Sequence, residues 1–175
     1  MGSTIIGGLI VSMLINFNMY QSNSIISSDS ELQLQQNAKT LAEILNYDFR
    51  KIGYRYDNTA FVEADSERIS FYSDVDRDGN IELVTYMLGE TSEVSGTTNP
   101  RDRVLYRIAD SDTISGPSLG LTKAKFSYFN GSGAATTILP DINYVKAELW
   151  IESVEPVGDN YPFTYWELII NPRNL

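Results

Sequence analysis

Two residue types are missing from the chain, which contains no cysteine and no histidine. Without cysteine there is no thiol nucleophile, and a structural zinc site of the usual Cys/His kind is excluded. Without histidine, the Ser-His-Asp triad and the imidazole general base are excluded as well. Carboxylates remain for acid–base chemistry, but no pair of acids marks a catalytic cleft. We therefore predict that the protein is not an enzyme and has no catalytic residues.

Charged side chains are scarce at the start of the chain, where none precedes Asp29. The apolar residues of this stretch would face every side of a helix, so no orientation on a globular surface could hide them all. If these side chains stayed in water, the protein would lose on the order of 15–30 kcal/mol of the favourable free energy that their burial provides. We expect the segment to lie either in a bilayer or in a bundle formed with other copies. The residues expected to make the assembly contacts are Ile5, Ile6, Leu9, Ile10, Met13, Leu14 and Phe17.

The apolar pattern becomes one-sided further along the chain. Large apolar residues and one alanine recur there at spacings of three and four, which is typical of one buried helix face. They are Leu34, Ala38, Leu41, Leu45, Phe49 and Ile52. We predict one helix over residues 1–54, with an apolar arm at residues 1–28 and an amphipathic half at residues 29–54. Residues 55–175 would form the globular head.

Within the head the periodicity changes to two. Alternating or β-branched and aromatic segments are separated by Gly, Pro, Asp, Asn and Ser, as expected for strands. The predicted strands are residues 60–65, 68–74, 81–88, 103–109, 121–129, 143–152 and 163–171. Because most connections are too short for crossover helices, we expect antiparallel pairing. The predicted fold class is α+β, in which the long N-terminal helix projects from, and packs on, a largely antiparallel sheet.

The formal net charge of −10 belongs entirely to residues 56–175. Residues 1–55 carry four acidic and four basic side chains and are therefore neutral. An acidic surface repels phosphate backbones, so we predict that nucleic acid is not a partner. Solubility is the simplest role of this charge.

The end of the predicted helix carries a recognisable string, Asp48-Phe49-Arg50-Lys51-Ile52-Gly53-Tyr54. With the apolar helix before it and the strands after it, this string resembles the type IV pilin-like superfamily, most closely the minor pilins and the J-type pseudopilins of type II secretion. The opening residues 2–11 are similar to the cleavage junction of that superfamily.

The resemblance implies export, anchoring in the inner membrane before assembly, and polymerisation into a helical homo-oligomer. The expected function is that of a structural subunit in an extracellular, pilus-like filament at the cell surface. The alternative is a minor or tip pseudopilin, or a membrane-anchored module that recognises a ligand or a secretion substrate.

An acidic segment joins two of the predicted strands. Carboxylates at alternate positions followed by Gly79 resemble the first half of an EF-hand loop, although Thr85 stands where a bidentate glutamate should close the loop. The candidate Ca²⁺ ligands are Asp74, Asp76, Asp78, Asn80 and Glu82. A plain hairpin turn with solvated charges is the alternative. No cofactor is required by the rest of the sequence.

A second short motif lies at Asn130, which begins an Asn-Gly-Ser triplet. This triplet matches the acceptor sequence for N-glycosylation and falls in a glycine-rich turn. Such short motifs also occur by chance, so glycosylation of Asn130 and a plain turn both remain open.

Overall fold

The computed structural model describes the backbone of residues 2–94, 96–110, 112–115 and 119–175, with all their side chains except those of residues 2–11, 18, 20–27 and 113–115. Within these residues the chain forms one α-helix and eight β-strands. In chain order they are α1 (Gly2–Phe49), β1 (Phe61–Ala64), β2 (Arg68–Ser73), β3 (Glu82–Leu88), β4 (Leu105–Ala109), β5 (Asp112–Ser115), β6 (Leu121–Phe129), β7 (Tyr144–Glu152) and β8 (Phe163–Ile170).

The strands are divided between two antiparallel sheets. Strands β1 to β5 form one sheet in chain order, and strands β6 to β8 form the other. Within each sheet, strands that follow one another in sequence are paired, as in a meander. Alternation explains which faces are buried: in β7, Val145, Ala147, Leu149 and Ile151 face the core, and the residues between them are half-buried.

The six apolar residues of the predicted helix face, from Leu34 to Ile52, are all buried. The helix itself ends at Phe49 rather than at residue 54, so Ile52 lies in the turn that follows it. Helix α1 packs mainly on β8 and β7. Phe49 at its end meets aromatic rings of both sheets, with centroid separations of 5.8 Å to Phe71, 5.4 Å to Tyr86 and 5.8 Å to Phe126. The end of the helix thus closes the core that the two sheets share.

A glycine turns the chain out of the helix. Gly53 has a φ of +77°, a conformation that L side chains rarely adopt. A Cβ atom at this position would lie 2.7 Å from the carbonyl oxygen of Asn174. The Gly53 amide donates to the carbonyl of Tyr72 at 3.0 Å, and this bond joins the turn to β2. Both backbone shape and close approach therefore require glycine here.

The predicted fold class, a long helix laid on a single pilin-like sheet, is wrong. The molecule is mostly antiparallel sheet, and its strands form two sheets. The continuous part of α1 with described side chains, residues 28–49, is amphipathic rather than apolar. Periodicity predicted the strands but carries no signal for the break between β5 and β6, where consecutive pairing stops. Among the described residues, no helix has the combined length and apolar character that crossing a membrane requires.

Candidate metal centre

The turn between β2 and β3 brings four carboxylates together. One oxygen from each of Asp74, Asp76, Asp78 and Glu82 lies within 4.8 Å of the others. Oxygens bound to one Ca²⁺ at ~2.3–2.6 Å can be at most about 5 Å apart, so the observed spacing matches a shared cation. This cluster could hold a metal ion.

Asp74 is the buried member of the cluster. Its Oδ2 atom lies 2.8 Å from Nη1 of Arg55, and the residue is inaccessible to solvent. Its Oδ1 atom has no hydrogen-bond partner among the described residues, although it is buried. An unpaired buried carboxylate oxygen is costly, because water no longer solvates it. A cation in the cluster would supply the missing interaction.

The exposed part of the turn is organised by its own side chains. Asp76 Oδ1 accepts from the Asp78 amide at 3.0 Å, and Asp78 Oδ1 accepts from the Asn80 amide at 2.8 Å. The bond from the Asn80 amide lowers the pKa of Asp78. Gly79, with a φ of +98°, permits the sharp bend. These bonds explain the turn, but they leave the buried Asp74 oxygen unpaired.

The predicted ligand Asn80 and the residue at the closing position, Thr85, both have other contacts. The Asn80 side-chain amide donates to Asp78 Oδ2 at 2.9 Å, so it positions that carboxylate. Thr85 lies in β3, where its hydroxyl is 2.9 Å from that of Ser70. Glu82 Oε2 accepts from the Val75 amide at 2.9 Å and remains within the cluster.

The turn is fastened to the end of α1. Lys51 donates from Nζ to the Val75 carbonyl at 2.5 Å, and its own carbonyl accepts from the Ser73 hydroxyl at 2.7 Å. The Asp74 amide donates to the Tyr54 carbonyl at 3.1 Å. Lys51 and Arg55 were not predicted as parts of this site. No spacing signal relates them to the acidic turn, because folding alone brings the two segments together.

The other predicted site residues lie elsewhere. Met13, Leu14 and Phe17 are on α1 with exposed fractions of 76%, 55% and 57%. The side chains of Ile5, Ile6, Leu9 and Ile10 lie outside the described residues, although their backbone belongs to α1.

Asn130 lies in the turn that follows β6. Its Oδ1 atom accepts from the Ser132 amide at 3.0 Å, from the Ser132 hydroxyl at 2.7 Å and from the Ala134 amide at 3.0 Å. The side-chain carbonyl of Asn130 therefore stabilises the turn. Glycosylation of its amide nitrogen stays a prediction.

Comparisons with protein-family models, with curated proteins and with solved structures find no match to the chain. The resemblance to the type IV pilin-like superfamily therefore stays a prediction.

Proposed function

We propose that the protein is a structural subunit that polymerises with copies of itself through α1 and presents its acidic head outward. One observation carries the proposal, namely the exposure of large apolar side chains on the helix. Met13, Ile15, Phe17 and Met19 have exposed fractions of 76%, 54%, 57% and 60%. Burying a side chain of this size is worth roughly 1.5–3 kcal/mol, so their exposure favours association.

One part of α1 packs on the head, and another part is available for contacts with other copies. Its 48 residues extend ~72 Å at ~1.5 Å per residue. Among the described side chains of α1, the first buried one is Leu34, and Leu41 and Leu45 continue the packed face. Residues 2–33 precede this packed part and account for ~48 Å of the length of the helix. This length suits a helix that packs against neighbouring subunits.

The distribution of charge is compatible with packing between the helices of two copies of the chain. Residues 1–28 are uncharged, so identical arms do not repel one another. The heads carry the net charge of −10 and do repel one another. Ser12 and Asn16 add polar groups that can bond between packed helices. Bundled arms with heads on the outside satisfy both requirements, and the expected location of such a polymer is the cell surface.

We further propose that the acidic turn binds Ca²⁺. The cluster offers only oxygen donors, which Ca²⁺ prefers, and its buried Asp74 oxygen lacks another partner. Arg55 competes for the same carboxylate, and no glutamate occupies the closing position at Thr85. Affinity should therefore be weak, near the ~10⁻⁴–10⁻³ M typical of extracellular modules.

Removing residues 1–28 tests the assembly proposal. Because the described core of the helix begins at Leu34, the truncated chain keeps the packed face and should fold as a monomer. The complete chain should form polymers visible by electron microscopy. Polymers of the truncated chain would contradict the proposal. A complete chain that inserts into lipid vesicles as a monomer would instead favour the membrane-anchored binding module.

A further inference from the structure

A cleft of about 520 Å³ lies where the end of α1 meets the β2–β3 turn and the C-terminal residues. Its basic lining residues are Arg50, Lys51, Arg77 and Arg173, and two tyrosines, Tyr47 and Tyr54, accompany them. The whole chain has 13 basic and 23 acidic residues. Four basic residues around one concavity therefore oppose the overall charge of the protein.

The helix terminus explains only part of this basic cluster. Cations near the end of a helix interact favourably with its partial negative charge, and this accounts for Arg50 and Lys51. Both also have local contacts: Arg50 Nε donates to Asn46 Oδ1 at 3.0 Å, and Lys51 Nζ lies 3.6 Å from the centroid of the Tyr47 ring. Arg77 and Arg173 come from other parts of the chain and need another explanation.

These two arginines are exposed, and neither forms an ion pair with a described acidic residue. None of the ion pairs among the described residues involves Arg77 or Arg173. Glu43 is the single acidic residue of the lining, and its carboxylate lies 3.7 Å from Lys39 on its own helix. The positive charge of the cleft is therefore not neutralised from within.

We propose that this cleft binds a small organic anion, namely a carboxylate or phosphate group carried on a ring such as a sugar. Guanidinium groups match both oxyanions in charge and in fork geometry. Tyr47, with an exposed fraction of 62%, offers a ring surface beside them. The volume lies within the ~300–1,000 Å³ range of small-molecule sites. This inference does not depend on self-assembly. The cleft shares one segment with the candidate metal centre, because Arg77 lies between Asp76 and Asp78 in the acidic turn.

Calorimetric titration of the complete chain provides the test, with glucuronate, glucose 6-phosphate, glucose and inorganic phosphate as probes. The two sugar anions should bind more tightly than glucose or phosphate. Arg77→Gln and Arg173→Gln should each lower the affinity about tenfold or more, because each removes a charged hydrogen-bond donor. Lys125→Gln removes an exposed cation outside the cleft and should leave binding unchanged. The melting temperatures of the three variants establish that they are folded.

Four results would overturn the proposal. They are the absence of binding for both sugar anions, equal affinity for glucose, equal affinity for inorganic phosphate, and unchanged affinity in both arginine variants. Electron microscopy of the same variants shows what the fourth result would mean. Loss of polymers with unchanged anion binding would mean that the cleft receives an acidic surface of a second copy.

Discussion

The Tyr86 hydroxyl donates a hydrogen bond of 2.7 Å to Asp48 Oδ2. Arg107 donates to the same oxygen through Nε at 2.5 Å. Asp48 lies at the end of α1, whereas Tyr86 and Arg107 lie in β3 and β4. Burial raises the pKa of the Tyr86 hydroxyl, and the Asp48 carboxylate adds to this effect, so Tyr86 stays a donor throughout the physiological range. These bonds join the helix to the five-stranded sheet.

Removing the Asp48 carboxylate should therefore destabilise the protein. Asp48→Ala leaves the Arg107 charge and the Tyr86 hydroxyl without their partner, at a cost of about 3 kcal/mol. Tyr86→Phe removes one bond to a charged group and should cost roughly 1.5–3 kcal/mol. Urea unfolding measures both values. Tyr165→Phe is the control, because that hydroxyl bonds to Glu148 and Glu167 at the surface. An effect in the control as large as that of Tyr86→Phe would contradict this account.

The packed face of α1 allows a matched pair of substitutions. Leu45 is fully buried, whereas Leu32 has an exposed fraction of 58% on the same helix. Leu45→Ala creates a cavity and should lower the free energy of unfolding by roughly 2–5 kcal/mol. Leu32→Ala should change it by less than about 0.5 kcal/mol. Equal losses in the two variants would show that this face is not the one that packs.

A buried carboxyl group predicts an unusual pH dependence. Asp102 is 1% exposed, and neither carboxylate oxygen has a hydrogen-bond partner among the described residues. Burial raises its pKa, opposed by the nearby Thr97 side chain and reinforced by the Glu152 charge. Between the ordinary and the raised pKa the folded state binds more protons than the unfolded state. The contribution of Asp102 to stability therefore falls as pH rises through that window.

Asp102→Asn should remove this dependence. The variant should be more stable than the wild type at pH 7, and its advantage should shrink as the pH falls towards 4. Thermal unfolding across this range measures the difference at each pH. If the stability advantage of the variant grew as the pH fell, the pKa of Asp102 would not be raised in the folded protein.

The acidic turn predicts stabilisation by calcium. Millimolar Ca²⁺ should raise the melting temperature, because it binds the folded state and not the unfolded chain. Asp76→Asn should reduce this increase, since it removes a carboxylate but keeps an oxygen that can accept from the Asp78 amide. Asp159→Asn is the control, because Asp159 is exposed and lies outside the cluster. If Ca²⁺ raised the melting temperature equally in both variants, the acidic segment would be a plain turn that does not bind the ion.

Much of the secondary structure was predictable from local patterns. All seven predicted strands are confirmed to within two residues at each end. The residues of the predicted helix face, from Leu34 to Ile52, are buried. Strand β5, Asp112–Ser115, was missed because turn-forming residues surround it. The division into two sheets was also missed, since alternation identifies the buried face of a strand but not its partner.

The candidate metal centre was predictable in the same partial way. Alternate spacing identified Asp74, Asp76 and Asp78, which lie close together in the chain. Arg55 could not be found, because its bond to Asp74 depends on the turn after α1 and on the pairing of that turn with β2. The burial of Asp74, which distinguishes this turn from a solvated hairpin, likewise depends on the tertiary fold.

Assembly through α1 is the central claim, and electron microscopy of single-charge variants tests it most directly. Phe17 and Leu32 are both exposed on the helix, with fractions of 57% and 58%, but only Phe17 lies in the uncharged arm. The wild type and Leu32→Glu should form filaments, and Phe17→Glu should remain a folded monomer, because its charge would be buried between helices. Filaments of unchanged dimensions from Phe17→Glu, or a wild type that stays monomeric, would contradict the claim.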